Sequence, residues 1–419
     1  MIEKKLDFES YIRFARGGER SALVYVRNFS ALKYLTHEFD ITHKFPFINA
    51  VAVSGDFADI RRLSASPYVE YITAQSRVFT LDMPGSDTVS TGGITEHGNR
   101  RAESTSGEGY TERGNRRHAS PIRYGGRRVN GYGSEVFLSG DGESISTSGL
   151  KTDFTGRGVT LAVLDTGVQP HLDLSVPVNR IKEFHDVYGV SDVPYDDNGH
   201  GTFVAGVAAG SGLTSACKVR GVASAAEIVG VKVISSSGEC GAFSVLEGMQ
   251  WTLDNARRLQ IKVVCMSFGS TPLSSGDPLK LGAETLVKNN ITVVCASGNS
   301  GENGLKSPGI SNDVISVGAI NPKDHSEADF SSRGWYGGTK KPDLYAAGVE
   351  VKGLHYRSAY TSMSGTSAAA PYVAGAACLL YEKYKNLTPR DVKRMLLGSA
   401  ENYNGKPVIE FAERPCRLF

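Results

Sequence analysis

The chain has 419 residues, 40 % apolar and 21 % charged, with a formal net charge of +2. That is long enough for one large domain with an extension, and apolar enough for a sizeable core. It is too near neutrality for a dominant nucleic-acid or polyanion partner. No run of 18 or more apolar residues occurs, so no membrane-spanning helix is expected, and the charged start MIEKKLDFESYIRFARGGER lacks the apolar stretch of a secretory signal.

Residues 1–82 read as a small α/β unit. SALVYV predicts a strand and SALKYLTHEF a helix with Ser30 as its N-cap. ITHKFPFINAVAVSG is strand-rich, FADIRRLSAS helical, and YVEYITAQSRVFTL returns to strand. Residues 83–140 are of another kind. Over 85–149 there are 14 Gly, 10 Ser and 8 Arg, no Lys, and a short repeat, TEHGNRR and TERGNRR. The 8 Arg are matched by 8 Asp and Glu, so this is no basic arm. Such a stretch buries too little apolar surface to offset its ordering entropy, and it is read as a flexible linker.

Residues 141–419 form the third zone. Apolar runs such as VTLAVLDTG, EIVGVKVI, KVVCMSFG, ITVVCASGN and DVISVGAI alternate with helical segments. Continuous apolar strands between helices predict an α/β fold with a central parallel sheet and helices on both faces. Reactive loops then belong at the carboxyl ends of the strands.

Six cysteines stand at 217, 240, 265, 295, 378 and 416, with no CxxC pair and no Cys/His cluster, so no zinc site is expected. Cys265 and Cys295, inside apolar strands, read as small buried hydrophobes. The thiols are expected to be reduced and the protein cytoplasmic.

Three segments carry chemistry. Asp165 directly follows a buried strand, His200 opens an apolar helix between two glycines, and Ser367 lies at the mouth of a long small-residue helix. Singly, each has a commonplace reading: a turn former, a structural histidine, an N-cap serine. Together they meet a specific need. A serine hydroxyl becomes nucleophilic only when a base removes its proton, and an imidazole base needs a carboxylate to hold its tautomer. Backbone N–H groups at a helix start can also face a developing oxyanion.

The segments VAVLDTG-like, HGT-VAG-like and SGTSAAAP, in the chain order Asp, His, Ser, resemble the subtilisin (subtilase) family from about 155 to 385. The resemblance implies a serine endopeptidase in which Asp165 orients His200, His200 acts as general base and then acid, and Ser367 is the nucleophile. Asn299, in VVCASGNSG, matches the oxyanion-hole asparagine. Ser267, Phe268 and Gly269 match the segment that pairs with a substrate strand, and Gly241 falls on the facing strand. Ala296, Ser297 and Gly298 match a wall of the pocket for the residue before the scissile bond, with Lys306 nearby. Strand addition works through the main chain, so broad sequence tolerance is implied.

Two positions depart from the family, Phe203 and Tyr372, where histidine is usual. No cofactor is implied. The calcium loop is not recognisable in GSGLTSACKVRGVA, and Asp173 alone does not make a calcium site. Residues 1–82 fit a propeptide that assists folding and then blocks the cleft. The partners implied are protein or peptide substrates and this propeptide, with neither nucleic acid nor membrane. The alternative class is a catalytically silent pseudoprotease acting as a regulatory binding partner, against which the complete residue set argues.

Overall fold

The computed structural model describes residues 5–81, 137–138, 144–145 and 153–410. The expected linker at 83–140 therefore lies almost wholly outside the described residues, as do Cys416 and the last nine positions.

The N-terminal unit contains α1 (Phe8–Ala15), β1 (Ser21–Val26), β2 (Asp40–Phe45), β3 (Ala50–Ser54), α2 (Phe57–Ala65), β4 (Val69–Ala74) and β5 (Arg77–Thr80). The first four strands form an antiparallel sheet in the order β2-β3-β1-β4. Side chains alternate across a strand, and here the alternation divides the unit into two faces. Ala22, Val24, Val51 and Val53 pack with Phe14, Ile60 and Leu63 of the unit's own helices. Leu23, Tyr25, Ala50 and Ala52 instead join the core of the large domain. The Tyr25 hydroxyl also donates to Gly276 O at 3.0 Å, and Phe47 N donates to Gln250 Oε1 at 3.2 Å.

Two local expectations differ from the structure. The segment after β1 is a 3-10 helix over Phe29–Tyr34, capped by Asn28, whose Oδ1 accepts from Ala31 N at 3.1 Å. Ser30 is inside the turn and donates to the same oxygen at 2.5 Å. Asn28 takes the cap because its carbonyl oxygen can accept from both groups at once. α1, absent from the sequence reading, is capped by Asp7, which accepts from Ser10 N at 2.8 Å.

A short antiparallel pair, β6 (Phe137–Leu138) and β7 (Ser144–Ile145), precedes the large domain. That domain runs β8 (Thr160–Asp165), α3 (Leu172–Ser175), β9 (Ile181–Asp186), α4 (His200–Ala209), β10 (Glu227–Lys232), β11 (Glu239–Gly241), α5 (Ala242–Leu259), β12 (Ile261–Met266), β13 (Phe268–Gly269) and α6 (Pro278–Lys288). It continues through β14 (Thr292–Ala296), β15 (Ile315–Ile320), β16 (Gly334–Tyr336), β17 (Thr339–Lys341), β18 (Leu344–Ala347), β19 (Val351–Leu354) and β20 (Tyr360–Met363). It closes with α7 (Thr366–Lys383), α8 (Pro389–Ser399), β21 (Glu401–Tyr403) and β22 (Lys406–Val408).

Its nine-stranded sheet has the order β21-β22-β18-β15-β14-β12-β8-β10-β9. Every pairing is parallel except β21 with β22. Both faces are covered, which is why the strands read as unbroken apolar runs. Leu161 and Val163 of β8 pack with α4, α7 and α8 on one face. Ala162 and Leu164 pack with α5 and α6 on the other.

Cys240, Cys265, Cys295 and Cys378 are free thiols. Cys217 is disulfide-bonded, so the expectation that all thiols are reduced does not hold for it. Burial pushes the Cys265 thiol up to about 12, which fits an inert core residue rather than a reactive one.

Candidate active site

Asp165 ends β8 and His200 opens α4, so each side chain is delivered at the carboxyl end of the sheet. His200 Nδ1 and Asp165 Oδ1 are 2.7 Å apart in a fully buried setting. The same oxygen accepts from Thr166 N at 2.7 Å. Gly201 is required by close approach: a Cβ there would lie 2.1 Å from Gly167 O and 3.0 Å from the Asp165 Cβ.

Two buried residues, Asp196 and Lys232, tie these loops together. Asp196 is buried, and its Oδ1 accepts from the Thr166 hydroxyl at 2.9 Å and from Gly199 N at 2.8 Å. Its Oδ2 accepts from Thr202 N at 2.9 Å and the Thr202 hydroxyl at 2.7 Å, so one carboxylate caps α4 and holds the loop after Asp165. Lys232 is also buried, and its ammonium donates to Thr166 O at 2.6 Å, Asp197 Oδ1 at 2.7 Å and Ile234 O at 2.9 Å. A lone lysine ending an apolar strand carries no local sign of such a partnership.

Ser367 is the second residue of α7, among the N-terminal amides that have no partner within the helix. Pro371 lies four residues further along the same helix. A proline at that place has no N–H to give the carbonyl four residues earlier, which is that of Ser367. The Ser267 hydroxyl supplies the missing donor, reaching Ser367 O at 3.1 Å. The Ser267 side chain thus braces the main chain of Ser367.

Asn299 follows the loop after β14. Its Nδ2 donates to Leu81 O at 2.5 Å. Its Oδ1 accepts from Thr366 N at 2.9 Å and the Thr366 hydroxyl at 2.8 Å, which fixes the amide so that its N–H end faces Leu81. A Cβ on Gly365 would lie 2.3 Å from Leu81 O, 2.9 Å from Ser367 Oγ and 3.0 Å from Asn299 Nδ2. Those three atoms therefore surround one point, and residue 365 must leave it open.

Leu81 directly follows β5, the strand leaving the N-terminal unit. β5 is the middle strand of a three-stranded antiparallel sheet, β11-β5-β13. Gly241 pairs with Arg77, Cys240 with Val78, Phe268 with Thr80 and Gly269 with Phe79. Thr80 N also donates to Gly238 O at 3.0 Å. Gly241, Phe268 and Gly269 thus flank β5. Leu81 is 3 % exposed and Val78 fully buried, so both anchor β5 in the large domain. Ala296, Ser297 and Gly298 lead from β14 to Asn299, and Ser297 O accepts from Lys306 N at 2.9 Å. Gly298 N donates to the Thr366 hydroxyl at 3.2 Å.

The departures lie off this centre. Phe203 is fully buried in α4, and Tyr372 packs against the same core cluster. Asp173 is buried and engaged by donors: Thr214 N at 2.8 Å and its hydroxyl at 3.0 Å on Oδ1, and the Tyr360 hydroxyl at 2.8 Å on Oδ2. Among the described residues no cluster of three or more His, Cys, Asp or Glu could hold a metal ion. No described helix is long and apolar enough to cross a membrane.

Residues 156–412 match the Subtilase family. The chain is 38 % identical over 280 residues to serine protease AprX of Bacillus subtilis, covering 59 % of this chain and 62 % of that protein. It is 33 % identical over 254 residues to a thermostable alkaline protease of Halalkalibacterium halodurans, covering 61 % and 65 %. It is 35 % identical over 251 residues to subtilisin Savinase of Lederbergia lenta, covering 59 % and 84 %. The chain thus spans less than two thirds of the length of the first two. A crystal structure of a cold-adapted subtilisin-like serine proteinase matches with a TM-score of 0.52 and 29 % identity, over 63 % of this chain and 92 % of that one. With the sheet order, the Asp165–His200 pair and the Ser367–Asn299 convergence in hand, the match over 156–412 establishes that this chain belongs to the subtilase family.

Proposed function

We propose that the chain is a serine endopeptidase made as a zymogen, and that its first cut is its own Leu81–Asp82 bond. The observation that carries this reading is the Leu81 carbonyl, which accepts from Asn299 Nδ2 at 2.5 Å beside Ser367 Oγ. A carbonyl so placed is already polarised in the direction that attack requires.

In this reading the Ser367 hydroxyl attacks the carbonyl carbon while His200 takes its proton. Asp165, paired with the other ring nitrogen, balances the charge of the imidazolium. The oxyanion is held by the Asn299 amide and the N-terminal amides of α7. The C–N bond then breaks, and His200 returns the proton to the leaving amine. Water repeats the sequence on the acyl-enzyme, releasing the new carboxylate and the free serine. No step requires a metal or organic cofactor. Other protein or peptide substrates would occupy the path of β5, recognised through main-chain pairing with β11 and β13. The N-terminal unit, anchored through Leu23, Tyr25 and Phe45, would remain as an inhibitor until it is degraded.

Mass analysis of the purified protein beside its Ser367→Ala form tests the proposal. The wild type should yield an N-terminal fragment ending at Leu81, and the variant should stay full length. A wild type that is active yet uncut overturns the zymogen reading. A serine variant cut at the same bond assigns the cut to another protease. Absence of labelling by a fluorophosphonate probe would point to a silent protein.

A further inference from the structure

Lys306 lies in the wall of the cleft, where its stem and its charge face different neighbours. A Cβ at Gly269 would sit 2.6 Å from the Lys306 Cβ and 3.4 Å from the Leu81 Cδ1. One at Gly298 would sit 2.7 Å from the Lys306 Cγ. The stem therefore fills the space between these two glycines, beside Leu81. Its ammonium lies 5.6 Å from the centroid of the Phe79 ring. Among the described residues no carboxylate pairs with it, and burial alone holds its pKa below the ordinary lysine value.

Phe79, under the ammonium, and Leu81, whose Cδ1 shares the space at Gly269 with the lysine stem, therefore both lie beside Lys306. Resting on the peptidase reading above, we propose that Lys306 makes the cleft select substrates by charge at two positions. These are the residue that supplies the scissile carbonyl and the residue two before it. Apolar, aromatic and acidic side chains are accepted there, and lysine or arginine is rejected. An aromatic ring offers its negative face to the half-buried ammonium, as Phe79 does. A carboxylate offers it a full charge. A second cation sets like charges together where water screens them poorly, and such a repulsive element is an effective source of specificity.

The test uses the processed enzyme and two peptide series, with Glu, Gln or Lys at one position and Leu or Phe kept at the other. In each, kcat/KM for Glu should exceed that for Lys by about tenfold in the wild type. The preference should shrink as salt is raised. Lys306→Ala should bring the ratio to about one, and Lys306→Glu should reverse it. Each ratio is taken within one variant, so a general loss of activity cancels. Equal cleavage of Glu and Lys peptides by the wild type overturns the proposal, as does an order left unchanged in Lys306→Glu. Hydrolysis of the reference peptide with Phe and Leu tests the peptidase reading separately. If that peptide is cut and the charge ratio is flat, only the role of Lys306 falls.

Discussion

Replacing Asn299 with alanine isolates the proposed oxyanion contact, because among the described residues its side chain bonds only to Leu81 O and Thr366. The 2.5 Å bond to the Leu81 carbonyl should strengthen as that oxygen gains negative charge, so its loss should fall on kcat rather than KM. Removing such a donor from subtilisin costs about 10²–10³ in kcat, or about 2.7–4 kcal/mol, and the same range is expected here. Thr366→Val gives a graded companion. It deletes one of the two bonds that orient the amide, worth about 0.5–1.5 kcal/mol, so kcat should fall by about two- to tenfold. The double variant should be only slightly slower than Asn299→Ala, since apart from orienting the amide the hydroxyl does no more than accept from Gly298 N. The assay is steady-state hydrolysis of a chromogenic peptide with leucine before the scissile bond, alongside the rate at which Leu81–Asp82 is processed. An Asn299→Ala protein with unchanged circular dichroism and a third of wild-type kcat would refute the assignment of the oxyanion hole.

Two further predictions concern stability. Tyr360→Phe removes the donor on Asp173 Oδ2 and should cost about 1–3 kcal/mol, read as a lowered Tm, whereas a chelator should leave the wild-type Tm unchanged. A chelator-induced drop reversed by calcium would show a cation site. Lys341 is buried, and desolvation, opposed by Asp343, lowers its pKa to about 8. Above that pH the folded protein has released a proton that the unfolded chain still binds up to the ordinary lysine value. Stability should therefore rise with pH between about 8 and 10, by about 1–3 kcal/mol. Urea midpoints across that window should lose this slope in Lys341→Met, and a slope retained in full would refute the attribution.

Much of the large domain was legible in the sequence because its signals are local. A strand buried on both faces must be apolar through its interior, as LAVL (161–164) and VVCM (263–266) are. Asp165, His200 and Ser367 were legible because each sits at a strand end or helix start, where neighbouring residues constrain the backbone. The errors were local competitions: Asn28 outbids Ser30 for one cap, and Asp7 starts a helix of 8 residues whose apolar pattern is short. Only the tertiary structure could decide the register of β5. Main-chain pairing with β11 and β13 is indifferent to side-chain identity, so nothing in SRVFTLDMP marks Leu81 as the residue whose carbonyl meets Asn299. The same holds for Ser267 supplying the donor that Pro371 lacks, for Lys232 bracing Thr166, and for Lys306 facing Phe79. Each joins residues far apart in the chain, and a contact of that kind is set by how the layers pack rather than by any period in the sequence.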